Sequence, residues 1–147
     1  VGGSNAGEET SAVETLPVGL TEPLDWTSDV PAYEQIKTRI TFAIARGAFG
    51  PNGQLPSVRA LARAIVVNPN TIIRVYRELE QEGLLYTRKG VGVFVVPHAA
   101  RRCRKERDTL VEDRLREAID LARKANMDDA DLEGLLRRLL DESGGGA

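Results

Sequence analysis

The pair Asn68-Pro69 breaks what would otherwise be one amphipathic stretch, and that break limits the fold more than any other feature of the chain. Before it, Val58, Leu61, Ala62 and Ile65 recur at helical spacing behind Ser57, a residue suited to capping a helix. After it, Ile72, Val75, Tyr76 and Leu79 form a second apolar stripe over 70–82, ended by Gly83. An earlier helix starts at Pro31, carries Ile36, Ile40, Ala43 and Ile44 inward and stops at Gly47, and Phe49-Gly50-Pro51-Asn52-Gly53 is a turn by composition. Downstream, 84–89 and 93–96 are short β-prone runs joined by Gly90-Val91-Gly92, a hairpin with a glycine-rich tip. Helices around a tight break, followed by a hairpin, make a winged helix-turn-helix over 24–97.

The flanks differ in character. Residues 1–23 are rich in Gly, Ser, Thr and Glu without apolar periodicity, which reads as a disordered acidic tail that adds nothing to the fold; Leu24 and Trp26 are the first anchors expected. Beyond Pro97, Val111, Leu115, Ala118, Ala122 and Ala125 repeat at four and three, with Ile119 and Leu121 beside them. Residues 126–129 break the pattern, and Leu132, Leu135, Leu136, Leu139 and Leu140 resume it between Asp128, Asp129 and Asp131 at one end and Arg137 and Arg138 at the other. The expected fold class is mainly α with a small β-hairpin: a winged helix-turn-helix domain, a short two-helix dimerisation segment at 98–142, and a frayed C-terminus at 143–147.

Several functions are disfavoured by composition. The 147 residues are 41% hydrophobic and 29% charged, enough for about one packed domain. No apolar run reaches the roughly 18 to 20 residues that cross a bilayer, and residues 1–20 lack the pattern of a signal peptide, so a cytoplasmic protein is expected. The single cysteine, Cys103, and single histidine, His98, make no zinc-ligand cluster and no cofactor motif, and a Ser-His-Asp or Cys-His mechanism would have to use His98, which reads instead as a solvent-exposed linker residue. No metal, cofactor or catalytic residue is expected.

The net charge of −2 conceals three different segments. Residues 1–30 carry −6, residues 31–97 carry +5 and the remainder −1, so the middle segment suits a polyanion although the whole chain does not. In a helix-turn-helix the second helix enters the major groove by its N-terminal part, which makes 70–82 the recognition helix and Asn70, Thr71, Arg74 and Arg77 its outward residues. Asn pairs with adenine, Arg with guanine or phosphate, and Thr with phosphate. Singly, each is as readily a solvated surface residue. The hairpin tip Gly90, Val91 and Gly92 would enter the minor groove while Arg88 and Lys89 contact phosphates; a bare Gly-x-Gly is otherwise only a turn. Arg101, Arg102, Arg104, Lys105 and Arg107 read either as further phosphate contacts or as a solvated helix start, with the second preferred.

Six segments in order resemble the GntR family of bacterial transcription regulators: Pro31-Ala32-Tyr33-Glu34-Gln35-Ile36, Leu55-Pro56-Ser57-Val58-Arg59-Ala60-Leu61-Ala62, Val67-Asn68-Pro69-Asn70-Thr71, Tyr76-Arg77-Glu78-Leu79-Glu80, Glu82-Gly83-Leu84-Leu85 and Gly90-Val91-Gly92-Val93-Phe94-Val95. The Asn-Pro-Asn-Thr segment and the short appendage resemble its YtrA-like branch. The resemblance implies a dimeric repressor, frequently encoded with the ABC transporter genes it controls. By position it places Arg59, Asn70, Thr71, Arg74, Tyr76 and the wing tip at DNA, and Ser57 is expected at the same surface. Pro69 and Ile73 stand where many relatives have arginine, which shifts weight onto Asn68, Asn70 and Arg74. Val66 stands where glycine is common, and a β-branched residue resists positive φ, so another turn geometry is expected there.

Partners follow from these surfaces. A homodimer is expected through Val111, Leu115, Ala118, Ile119, Ala122, Leu132, Leu135, Leu136 and Leu139, because a lone amphipathic helix is marginal in water. Two-fold pairing makes the duplex DNA operator an inverted repeat. An unidentified small-molecule effector at that interface stays open. The rival reading is a winged-helix protein-interaction module without DNA, which would require an apolar outer face on 70–82; an enzyme would need convergent titratable groups that the sequence does not place.

Overall fold

Pro31 precedes helix α1 (Ala32–Ala45) in the computed structural model, which describes residues 16–145. Helix α2 (Val58–Ile65) follows, capped by Ser57, whose Oγ accepts from the Ala60 N–H at 3.1 Å. Helix α3 (Pro69–Gln81) begins with Pro at the position where no N–H is needed, and the Asn68 Oδ1 accepts from the Asn70 N–H at 2.8 Å. The break expected at Asn68-Pro69 is therefore a helix cap and a helix start in adjacent residues. Strands β1 (Leu85–Arg88) and β2 (Gly92–Val95) pair antiparallel with Leu85 opposite Val95 and Arg88 opposite Gly92. Helix α4 (Ala99–Lys124) and helix α5 (Asp129–Gly144) complete the described chain.

The chain divides into two units, Val1–Arg107 and Asp108–Ala147. In the first, Ile36, Ile40 and Ile44 of α1, Leu61 and Ile65 of α2, and Ile72, Val75 and Leu79 of α3 meet in one core with Leu84, Leu85 and Val95 of the hairpin. Each such side chain contributes about 1.5–3 kcal/mol by leaving water. Ala99 and Cys103 of α4 belong to the same core, so this unit runs past the boundary expected at 97. Burial, and then the nearby Glu106 carboxylate, push the Cys103 thiol up to about 11, which leaves it an inert packing residue.

Residues 16–23 depart from the disorder that their composition predicts. Leu20 lies in the core at 1% exposure and Leu24 packs beside it, while Arg46 donates to the Val18 carbonyl and Arg39 to the carbonyls of Glu22 and Pro23. Residues 16–23 thus belong to the folded unit, held by Arg39 of α1, by Arg46 just past its end and by two leucines that lack a periodic context. The rest of the expected disordered tail, 1–15, lies outside the described residues. Trp26, expected as an anchor, is 71% exposed.

Four helices end alike. A residue with positive φ follows α1, α2, α3 and α4 (Gly47, Val66, Gly83 and Asn126), and the next N–H reaches back five residues to a helix carbonyl. Ala48 reaches Ala43 at 3.0 Å, Val67 reaches Ala62 at 3.0 Å, Leu84 reaches Leu79 at 2.9 Å and Met127 reaches Ala122 at 2.9 Å. Val66 is the surprise: it sits at φ 63° and ψ 59°, in the left-handed geometry that its branched side chain was expected to refuse. The hairpin also gains a third edge. Leu55 N–H donates to the Val93 carbonyl at 2.9 Å and Val95 N–H to that of Gly53 at 2.8 Å, so the segment read only as a turn leads directly into a strand-like edge on β2.

In the second unit Asp128 caps α5, its Oδ1 accepting from the Asp131 N–H at 2.8 Å. Ala122 is buried within this unit and Leu132 and Leu135 are half-buried, whereas Val111, Leu115, Ile119, Leu121, Leu136, Leu139 and Leu140 are exposed. The end expected to fray from 143 is helical through Gly144, with Ser143 Oγ donating to the Leu139 carbonyl; 146 and 147 lie outside the described residues.

Candidate nucleic-acid interface

Helix α3 is fixed by its inner face. Ile72, Val75, Tyr76 and Leu79 are buried against α1 and α2, which leaves Asn70, Ile73, Arg74 and Arg77 outside and Thr71 at the margin. A helix held this firmly presents its outer residues on a rigid frame. Arg59 of α2 and Arg88 and Lys89 of the hairpin are exposed as well. The Arg77, Arg59 and Lys89 side chains make no ion pair among the described residues, so their charge is open to an external anion.

The first turn of α3 has few free donors. Pro69 has none, the Asn70 N–H serves the Asn68 side chain and the Thr71 N–H serves the Asn68 carbonyl at 2.9 Å. An anion there would meet side chains and the helix dipole rather than backbone amides. Asn68 and Ser57 spend their acceptor oxygens as caps, keeping the Asn68 amide and the Ser57 hydroxyl hydrogen as donors.

Tyr76 is not part of this surface. It is 5% exposed, its hydroxyl donates to the Pro56 carbonyl at 2.7 Å, and burial raises its pKa. The family position that suggested a DNA contact is filled here by a residue that ties α3 to the start of α2. Its place in the apolar stripe was the correct signal.

Arg74 is held on two sides. Its guanidinium carbon lies 3.5 Å from the centroid of the Tyr33 ring, and its Nε donates to Glu78 Oε1 at 3.3 Å. Glu78 Oε2 is 3.5 Å from Lys37 Nζ, and Lys37 also donates to Glu82. Partial burial would lower the Lys37 pKa, but Glu82 and Glu78 outweigh it and raise it. Sequence reasoning missed Tyr33 and Lys37 as neighbours of the site. Their i,i+4 spacing is visible, but which helix they face is a tertiary fact.

The wing is organised by side chains as well as by its strands. Tyr86 and Phe94 stack with ring centroids 5.5 Å apart, Arg88 lies over the Phe94 ring at 5.8 Å, and Tyr86 donates to Asn52 Oδ1 at 3.0 Å. Val91 N–H closes the turn onto Arg88 at 2.9 Å with Gly90 at φ 76°, a conformation that suits glycine. Gln54 Nε2 donates to the Val91 carbonyl at 3.2 Å and so holds the tip from the third edge, a role with no signature in the sequence. Thr87 Oγ1 donates to Glu80 Oε2 at 3.2 Å and joins the wing to α3.

The basic run at 101–107 proves partly structural. Arg102 donates to the Glu82 carbonyl at the end of α3, and Arg104 to the Ala45 carbonyl at the end of α1 at 3.4 Å. Both neutralise the negative end of a helix dipole, a use that neither sequence reading had anticipated. Among the described residues no group of His, Cys, Asp or Glu could hold a metal ion, and no helix is long and apolar enough to cross a membrane.

A basic helix face beside a winged hairpin defines a class, and comparison with known proteins gives its family. Residues 32–95 match the model of the bacterial regulatory proteins of the gntR family. The chain is 32% identical over 123 residues, 84% of its length and 95% of the relative's, to the transcriptional repressor YtrA of Bacillus subtilis. It therefore belongs to the GntR family and is a transcriptional regulator with a DNA-binding domain, not an enzyme. The regulator YhcF of Bacillus subtilis is 43% identical over 72 residues, 49% of this chain and 60% of that protein. A GntR-family regulator from Listeria monocytogenes has a similar structure, with a TM-score of 0.63 at 28% identity over 78% of this chain and 98% of that one. A transcriptional regulator from Oenococcus oeni gives 0.62 at 27% identity over 80% and 97%.

Proposed function

We propose that the chain is a cytoplasmic, dimeric repressor that binds an inverted-repeat DNA operator through α3 and the wing. The observation that carries this reading is the outer face of α3, where Asn70, Arg74 and Arg77 stand on a fully buried apolar footing with Arg59, Arg88 and Lys89 exposed in the same unit. Asn70 and Arg74 have the chemistry of base readers, Thr71, Arg59, Arg77, Arg88 and Lys89 that of phosphate contacts, and Gly90, Val91 and Gly92 are small enough for a minor groove. Ile73, also exposed, would suit a thymine methyl. An apolar outer face, which the protein-interaction reading requires, is not what α3 presents. The name of the Bacillus subtilis relative supports repression. Resemblance to the YtrA-like branch supports regulated genes that include the chain's own operon and an ABC transporter.

The exposed apolar residues of the second unit support the homodimer, with Val111, Leu115, Ala118, Ile119, Leu136 and Leu139 facing a second copy and Leu132 and Leu135 at its margin. Ala122, buried against its own chain, is removed from that surface. Binding to duplexes selected from a random pool tests the proposal. If a dimer neutralises ~6 to 10 phosphates, affinity falls by about 10³ to 10⁵ between roughly 50 and 200 mM salt. Tight binding with a flat salt response would contradict it.

A further inference from the structure

Tyr33 and Lys37 are one turn apart on α1, and Arg74 and Glu78 are one turn apart on α3. The four form a closed lattice across the packed α1 and α3 helices. Tyr33 covers one face of the Arg74 guanidinium, Glu78 takes its Nε, and Lys37 in turn holds the other oxygen of Glu78. What remains of Arg74 is the pair Nη1 and Nη2, which have no partner among the described residues. Two adjacent N–H₂ groups are the fork that matches O6 and N7 of guanine. An unrestrained arginine would lose rotamer freedom on reaching a base, whereas this one is ordered beforehand. The lattice also alternates in charge, with Lys37 and Arg74 against Glu78 and Glu82, so it adds little to general attraction for a polyanion.

We propose that Tyr33, outside the recognition helix, is a positioning residue for sequence discrimination: with Lys37 and Glu78 it holds Arg74 in the pose that reads one guanine of the operator. This rests on the DNA-reading function proposed above.

Selection of bound duplexes by the full chain and its Tyr33→Phe, Tyr33→Leu, Lys37→Met and Arg74→Ala variants tests it, with melting curves to check folding. The wild-type protein should enrich guanine at one position of each half-site, and Arg74→Ala should erase that preference. Tyr33→Phe keeps the ring face and should keep the preference. Tyr33→Leu should weaken it by about 2- to 5-fold, the strength of an exposed cation–π contact, with other positions and the affinity for random duplex unchanged. An unaltered guanine preference in folded Tyr33→Leu overturns the inference, as does an equal loss on every sequence. Should Tyr33→Leu fail to fold, Lys37→Met carries the same test, since releasing Glu78 must loosen the same position and no other. If the wild-type protein enriches no sequence, DNA reading itself fails, a result that needs no variant and is therefore distinct.

Discussion

Val66 keeps a left-handed backbone with a β-branched side chain that is 81% exposed, and it does so because the Val67 N–H bond to Ala62 closes α2 in time for Asn68 to cap α3. The conformation costs about 1–2 kcal/mol in a non-glycine residue, against the roughly 0.5–1 kcal/mol of chain entropy that glycine would lose. Exposure means that no packing offsets the difference. Val66→Gly should therefore raise stability by about 0.5–1 kcal/mol, read as a higher denaturant midpoint at unchanged slope. A lower midpoint would show that the valine side chain makes a contact that stabilises the turn. Sequence alone exposed the conflict at Val66 but resolved it wrongly, because a turn fixed from both sides by helix ends overrides the preference of one residue. Tyr76 teaches the complementary lesson: its helical spacing indicated burial, and only the analogy to relatives sent it to DNA. Arg74 was placed on the correct face, yet Tyr33 beneath it was invisible without the packing of α1 on α3.

Elements were legible where apolar spacing was regular and illegible where a segment drew its order from elsewhere. Helices α1, α2 and α3 and the hairpin fall where the stripes and turn residues put them. The segment 16–23 has no period, so nothing in its sequence distinguishes Leu20, buried at 1%, from a residue of a solvated tail. The third edge of the wing escaped for the same reason, since Gly53, Gln54 and Leu55 are too short a run to signal a strand. Arg102 and Arg104 escaped because a basic run reads as solvated until the carbonyls at the ends of α3 and α1 are seen beside it. Leu20 offers a direct measurement. Leu20→Ala removes a fully buried side chain and should cost about 2–5 kcal/mol, measured by denaturant unfolding. A cost near zero would return residues 16–23 to the tail.

At the scale of the whole molecule, the unpartnered surface decides what assembles. Val111, Leu115, Ile119, Leu136 and Leu139 are exposed on the second unit, and Leu115 is 49% exposed near the centre of the α4 stripe. A single chain leaves several apolar side chains in water, each forfeiting part of the roughly 1.5–3 kcal/mol its burial would contribute, and in the proposed dimer a second copy would recover that loss symmetrically. In the proposed dimer Leu115→Asp would place a charge at the middle of the shared face twice over, once from each copy, so its effect on association should be larger than its effect on either chain alone. The variant should sediment as a monomer at micromolar concentration while its melting curve for the first unit stays within about 1 kcal/mol of wild type, because surface changes away from the core usually cost less than that. Its affinity for a full inverted repeat should fall steeply and its affinity for a half-site should not, since only the full site gains from the second domain being held nearby. Wild-type protein that sediments as a monomer at the same concentration would remove the dimer, and with it the reason for expecting an inverted repeat. Equal losses on full and half sites in Leu115→Asp would instead show that Leu115 supports the DNA-binding unit itself.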